Sequence, residues 1–530
     1  MVFVPREPFA AAVGGLAPPR AIPSDLVVAA ASRILPADVV QKLVLLAIFV
    51  LACSGVAALL DREPLLPRLA AGVFYAWNPY VGERLIIGQW ALLLGYAGLP
   101  WVLRAVLAPG LGSRRGAARL GLTLLPAVVG GFAAMAITAL VAIPAVLLSR
   151  SPRRAAVVLT TLAAGSLPWL IPSLLHRVYV DPASVAAFAS RADTPFGTLG
   201  SLLMLGGNWN AQTVPKAYGG PWSALWLAAV LLALAAYLVI ASRKHRWPGL
   251  GLAAAAGLII AALGVTAPGR DLLRSLIAAW PAFAILRDAQ QFIAPLALAE
   301  ATGFGLAVAA AMSSGPFGEK EKWAERKRPV RADAPGTVLA VLALLAPVLL
   351  LPGLAWGAAG RLRPAAYPAA WLAAARSLDA NPAPGGVLLL PWATYRTPPW
   401  NHGEVVLDPW TRLLSRPLIW NDGTQVGDVA LAPDDPRARR LGRAIAAGGP
   451  LTATLRAAGV RFVLDDADGP DPAIAARLPG SAVIIHQPGL TVYQLLRPGR
   501  AAPSRRTGDD ARHACRRALE LAQTDAGRRS

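Results

Sequence analysis

A polytopic α-helical membrane protein with about ten crossings, followed by a small C-terminal α/β domain, is the fold this sequence predicts. Three observations predict it. Of 530 residues, 55% are hydrophobic and 15% charged, against roughly 25% charged in a soluble chain. Apolar runs long enough to cross a bilayer recur between residues 38 and 357. Lysines and arginines gather in short loops between those runs, as they do in cytoplasmic loops. The net charge of +21 therefore reads as topology. Nucleic acid is not expected as a partner, because no helix or sheet offers a basic reading face.

Residues 1–37 read as an extracytoplasmic loop, and residues 38–357 as the membrane domain. Candidate spans lie at roughly 38–60, 67–81, 85–108, 117–148, 154–176, 221–242, 248–266, 289–311 and 337–357. The run at 117–148 is too long for one crossing. Gly130-Gly131 near its middle predicts two short helices in a hairpin. The basic loops GSRRGAAR (112–119), SRSPRR (149–154), SRKHR (242–246) and KEKWAERKRPVR (320–331) go to the cytoplasm. Alternation then puts 177–220, 267–288, the Asn78–Arg84 corner and the chain after 357 outside. It also puts the first residues outside, although MVFVPREPFAAAVGG is no signal peptide. A further span upstream of Met1 is the expectation.

Residues 368–498 read as a soluble α/β domain. GVLLLPW (386–392) and VRFVLDD (460–466) read as strands, and SAVIIHQPGLTVYQL (481–495) as a hairpin turning at Pro488-Gly489. Residues 436–459 read as one helix or two. The Arg-rich tail, 499–530, reads as disordered. The two cysteines, Cys53 and Cys515, lie in an apolar run and in the tail, so no disulfide framework is expected. LDDADGPDP (464–472) fails as a calcium loop because Pro470 stands where a ligand belongs. The five histidines show no zinc spacing. Trp392, Trp400, Trp410 and Trp420 read as core aromatics, with a glycan platform as the other reading.

The chemistry-bearing stretch is YAWNPYVGERLIIGQWALLLGYAGLPW (75–101). Asn78-Pro79 is a helix stop. Glu83 and Arg84 are expected to start the next helix at the outer interface, with Arg84 at headgroup level to hold a phosphate. Gln89 and Trp90 lie deeper, and Asn78 shares the corner. Polar groups at bilayer depth are expensive and mark a site or an interfacial anchor. Two outer loops supply further candidates. FGTLGSLLMLGGNWNAQTVPKAYGGPW (196–222) carries Trp209 and Asn210, a ring and an amide suited to a sugar. APGRDLLRSLIAAWPAFAILRDAQQF (267–292) carries Arg274, Arg287 and Asp288. Its middle reads as an amphipathic interfacial helix, and arginine pairs bidentately with phosphate. Glu300, alone in an apolar run, is expected to pair with Arg104 or a backbone group.

The block FYAWNPYVGERLIIGQWALLLGYAGLPWVL (74–103) resembles GT-C type membrane glycosyltransferases, in particular the N-terminal GT-C domain of α-(1→3)-arabinofuranosyltransferases. PPRAIPSDLVVAAASRILPADVVQKLVLL (18–46) and FAILRDAQQFIAPLAL (283–298) fit the same picture. The resemblance covers roughly residues 1–360. It implies a GT-C-like fold, a polyprenyl-phosphate-linked sugar donor, a glycan acceptor outside the membrane and inversion at the anomeric carbon. It also implies an acidic general base in the first outer loop. Only Glu7 and Asp25 stand in that part of this chain, and neither matches a family motif, so the family's acid is expected upstream of Met1. Glu7, Asp25 and Glu83 are the candidate bases; Arg84, Arg274 and Arg287 are the candidate phosphate ligands. A divalent cation stays open, with no ligand cluster to hold it. The competing class is a non-catalytic transporter or scaffold for envelope polysaccharide. A transporter would show broken helices and repeated halves at the midplane, whereas the polar residues here gather at the outer face.

Overall fold

A computed structural model of the chain describes residues 3–5, 8–10, 22–175, 180–313, 334–467 and 472–496. Glu7, Cys515, the basic loop at 320–331 and the tail from 499 lie outside the described residues. The chain forms two compact units, Met1–Asn381 with Ala393–Arg439, and Pro382–Trp392 with Arg440–Ser530. Residues 368–381 and 393–439 of the expected soluble domain thus belong to the first unit.

The first unit is mostly helical. Its early helices are α1 (Ser24–Ala31), α2 (Ala37–Leu59), α3 (Leu65–Ala76), α4 (Pro79–Ile86) and α5 (Trp90–Leu107). Then follow α6 (Arg114–Gly130), α7 (Phe132–Leu147), α8 (Pro152–Leu175) and the short α9 (Gly197–Leu203). After them come α10 (Ser223–Ala236), α11 (Leu250–Leu263), α12 (Ala267–Ala279), α13 (Ala294–Ser313) and α14 (Ala334–Leu350). Caps set several starts. Ser113 accepts from the Gly116 N–H at 3.1 Å to begin α6, and Thr266 accepts from the Gly269 N–H at 3.2 Å to begin α12. The long run expected to be a hairpin is two helices, α6 and α7, which part at Gly131.

Among the described residues, five helices are long and apolar enough to cross a membrane, or six if a bent pair counts as one span. The bent pair is α11 with α12, which turn from each other by 96°. On α2 the exposed residues Leu43, Leu46 and Val50 form one stripe, while Ile48, Ala52 and Val56 are buried. Such an apolar outer face suits lipid. Inside, Phe74 of α3 stacks on Trp226 of α10 at 5.0 Å and on Phe304 of α13 at 4.9 Å. A Cβ on Gly303 of α13 would stand 2.0 Å from the Ala233 carbonyl of α10. Only glycine permits that approach, the small-residue packing expected where water does not drive helices together.

The second unit carries β1 (Gly386–Leu390), β2 (Val460–Asp465), β3 (Ser481–Gln487) and β4 (Leu490–Leu495). β1 runs parallel to β2, β2 antiparallel to β4, and β3 and β4 form the hairpin. β1 is buried along its whole length, as its unbroken apolar sequence requires.

Candidate functional site

The site is built around α4. Asn78 makes the corner. Its Oδ1 accepts from the Val81 N–H at 3.1 Å, which caps α4. Its amide donates to the carbonyls of Phe74 and Tyr75 at 3.1 and 2.8 Å, which closes α3. It also donates to the Tyr96 hydroxyl at 3.1 Å. Pro79 occupies the first helical position, where a missing N–H costs nothing. Gly88, at φ +84°, then breaks the helix, so α5 begins only at Trp90. Two expectations are corrected here. Glu83 and Arg84 do not start the 85–108 span; they sit within a separate eight-residue helix. Arg84 is not at an exposed interface either: both residues are wholly buried.

Burial of an arginine demands partners, and Arg84 has them. Its Nη1 and Nη2 donate to the two carboxylate oxygens of Asp288 at 2.8 and 3.1 Å. Nη1 also donates to Gln89 Oε1 at 2.5 Å, and Nη2 to Gln290 Oε1. Gln290 returns its amide to Glu83 Oε2 and to the Gly206 carbonyl, each at 3.2 Å. Three segments distant in sequence therefore meet: α4, the loop after α9, and the two 3-10 turns Pro281–Arg287 and Ala289–Ile293.

A second acid joins them. Asp193 Oδ2 accepts from the Gly207 N–H at 2.8 Å, and Oδ1 lies 3.5 Å from Arg191 Nε. Ser201 of α9 fixes this turn by accepting from the N–H groups of Asp193 and Thr194 at 2.9 and 3.1 Å. Burial pushes the Glu83 carboxyl well above the usual carboxylate range, and the like charge of Asp193 adds to it against the pull of Arg84. Burial likewise raises Asp193, to about 6, with the Gly207 N–H and Arg191 opposing. Several buried polar atoms here lack a hydrogen-bond partner: Glu83 Oε1, Asp193 Oδ1, Arg191 Nη1, Asn208 Nδ2 and Trp209 Nε1. Beside them, Phe188 packs edge-on to Trp209 at 4.6 Å, and the Arg287 guanidinium stands 5.1 Å from the Phe188 ring.

Glu83, Arg84, Gln89 and Asp288 are thus in direct contact or one residue removed, with Trp209 and Arg287 alongside. The remaining candidates are engaged elsewhere. Trp90 meets Phe3 edge-on at 5.5 Å. Asn210 caps its own 3-10 turn through Gln212 at 3.0 Å. Arg274 is exposed and pairs with Asp271 at 2.8 Å. Asp25 pairs with Arg412 at 3.1 Å. Glu300 does not pair with Arg104, which meets Asp61 at 3.5 Å; both Glu300 oxygens lack partners. Trp371 stacks on buried Trp410 at 4.7 Å and meets Trp400 at 5.6 Å, so those two indoles belong to an aromatic cluster of the first unit. Sequence reasoning missed Arg191 and Asp193. Their segment, SRADTPFG (190–197), runs directly into the loop that was singled out. Among the described residues, no group of three His, Cys, Asp or Glu could hold a metal ion.

No family model matches the chain, and no curated protein matches it by sequence. Two solved structures of arabinofuranosyltransferase AftD from Mycobacteria are similar in fold. One has TM-score 0.56 and 19% identity, and covers 93% of this chain and 36% of that one. The other, of a point mutant, has TM-score 0.52 and 20% identity over 93% and 37%. The chain therefore spans about a third of the length of the transferase it resembles. The likeness is one of fold, and it falls on the protein group that the 74–103 block resembles.

Proposed function

We propose that this chain transfers a sugar, arabinofuranose being the first candidate, from a polyprenyl-phosphate donor to an extracytoplasmic glycan acceptor in cell-envelope synthesis. The observation that carries the reading is the buried joint at α4, where Glu83, Arg84, Asp193, Asp288 and Gln290 converge from three segments. A polar network this deep is costly to maintain and marks a site more often than a scaffold. Its composition suits glycosyl transfer. A carboxylate removes the acceptor hydroxyl's proton, and arginines stabilise the negative charge on the departing phosphate. Arg84 serves from behind, since its forks are already on Asp288 and the two glutamines. Arg191, whose Nη1 lacks a hydrogen-bond partner, is the first candidate phosphate ligand, and Arg287, stacked on Phe188, is the second, with Trp209 and Phe188 offering ring faces to the sugar. Arg274, exposed on α12, is left to lipid headgroups.

This reading takes the protein as multi-pass, with about ten crossings. It puts the Asn78–Arg84 corner, 177–220, 267–288 and the chain after 357 outside. The experiment is a transfer assay on the full chain in proteoliposomes, with radiolabelled polyprenyl-phosphoryl arabinofuranose and a polyprenyl-phosphoryl hexose as donors. A synthetic oligoarabinofuranoside is the acceptor. Labelled product from the pentose donor, lost in Arg84→Ala at equal membrane content, is the expected result. No product from either donor would refute the reading.

A further inference from the structure

The site holds two buried carboxyl groups, and the proposed transfer needs one base. Resting on that reading, we propose that Glu83 and Asp193 divide the work: Glu83 keeps its proton, and Asp193 is the catalytic base. Geometry separates the two. Glu83 is wholly buried, and one oxygen accepts from Gln290, which also spans to Arg84 and Gly206. Its cations stand at one remove: Arg84 turns both forks to Asp288, and Arg84, the Asn208 N–H and Arg191 only partly offset the burial of Glu83 and the like charge of Asp193. An isolated anion there would be expensive, so the neutral acid is the stable form. Asp193 has what an anion wants. The Gly207 N–H donates to Oδ2 at 2.8 Å and Arg191 stands 3.5 Å from Oδ1.

The division also fits the titration. The charged and polar groups around Asp193 are Arg191 on its own segment, the Gly207 N–H, Glu83 on α4, and Tyr218 beyond the loop. Asp193 ionises near 6 while Glu83 stays well above the usual carboxylate range. At neutral pH the pair therefore carries one proton and one charge, the arrangement of like carboxylates pushed apart by their surroundings. The ligand side is built as well. Arg191 Nη1, Asn208 Nδ2 and Trp209 Nε1 are donors without partners, and Asp193 Oδ1 is an acceptor without a hydrogen bond. Asn208 has no solvent exposure. Three donors beside a carboxylate match a hydroxyl-rich, anionic head group such as a sugar phosphate. In the step itself, the acceptor's O–H proton passes to Asp193. The acceptor oxygen bonds to the anomeric carbon, and the bond from that carbon to the phosphate oxygen breaks. The electron pair leaves on polyprenyl phosphate beside Arg191.

The test combines a rate and a spectrum on the full chain. Asp193→Asn should lower transfer by roughly 100-fold or more, the usual worth of a positioned base, while retention of tritiated polyprenyl phosphate on the protein is unchanged. In the wild type, transfer should be lost as pH falls through about 6, where Asp193 takes up its proton. Arg191→Gln removes a cation that holds Asp193 ionised, so the midpoint should move to higher pH. Glu83→Gln, whatever its rate, should leave the midpoint in place. Infrared titration reads the pair without any substrate: one carboxylate should protonate near pH 6 in the wild type, and this event should vanish in Asp193→Asn. Survival of that event in Asp193→Asn, or transfer by Asp193→Asn at the wild-type rate, overturns the proposal. So does a midpoint that follows Glu83→Gln and ignores Arg191→Gln. Absence of transfer in the wild type with the infrared event intact would strike the function and leave the paired titration standing.

Discussion

Glu83 and Glu300 are both acids with no solvent exposure, and both stand in largely apolar stretches of sequence. Around Glu83 the chain assembles Gln290, Arg84, Asp288, Gln89 and Asp193 from three segments. Around Glu300, on α13, neither oxygen has a hydrogen-bond partner. A buried acid is therefore a weak pointer by itself. The strong pointer is convergence, because each further polar group brought to a dry place adds a desolvation cost that a purely structural core would avoid. Variants that test this contrast should differ greatly in effect between the two places.

The largest effect is expected at Arg84. Arg84→Ala leaves Asp288 without its bidentate partner and two further acceptors, Gln89 Oε1 and Gln290 Oε1, without a donor. Breaking one half of a buried pair costs about 3–5 kcal/mol, so the thermal unfolding midpoint in detergent should fall by many degrees. Arg84→Lys should recover only part of it, since an ammonium cannot match both oxygens of Asp288 in one plane. An Arg84→Ala protein as stable as wild type would remove the joint from the structural argument altogether.

Gln290 comes next. Gln290→Leu keeps the volume and removes the bridge that joins Glu83, Arg84 and the Gly206 carbonyl. Leaving those groups unmatched should cost about 1–3 kcal/mol, again read from the unfolding midpoint. Transfer should fall by more than stability does, because Glu83 loses the contact that orients it. Equal losses in both measurements would make Gln290 a core residue only.

How much of this could be read in advance follows from where each interaction is encoded. The Asn78-Pro79 corner was legible because cap and proline chemistry is local: the groups that Asn78 satisfies, the carbonyls of Phe74 and Tyr75 and the N–H of Val81, lie within four residues on either side. Glu83 and Arg84 stood out against their apolar surroundings. Their partners were less visible, because Asp288 is 204 residues from Arg84 and no local pattern encodes such a pairing. The surroundings of Arg84, buried within the protein and not open to a phosphate, were misjudged for a specific reason. Length alone placed the next helix at residue 85, but Gly88 breaks the chain there and lets α4 fold inward as a separate helix. Arg191 and Asp193 were not legible at all. An arginine and an aspartate two residues apart, ahead of a proline, look like any solvated loop; what sets them apart is the turn that Ser201 and the Gly207 N–H fix around Asp193.

The smallest effect should be at Glu300. With no hydrogen bond and no ion pair to lose, Glu300→Gln exchanges one polar head for another of nearly the same shape. A stability change below about 1 kcal/mol is expected, since only the loss of a made interaction or the creation of an unmet one would exceed that. The unfolding midpoint of Glu300→Gln in detergent, measured beside that of Gln290→Leu, sets the two surroundings on one scale. A drop at Glu300 as large as the one at Gln290 would mean that the acid on α13 holds a partner as firmly as the acid on α4 does. Convergence of segments would then no longer distinguish the candidate site from the rest of the core.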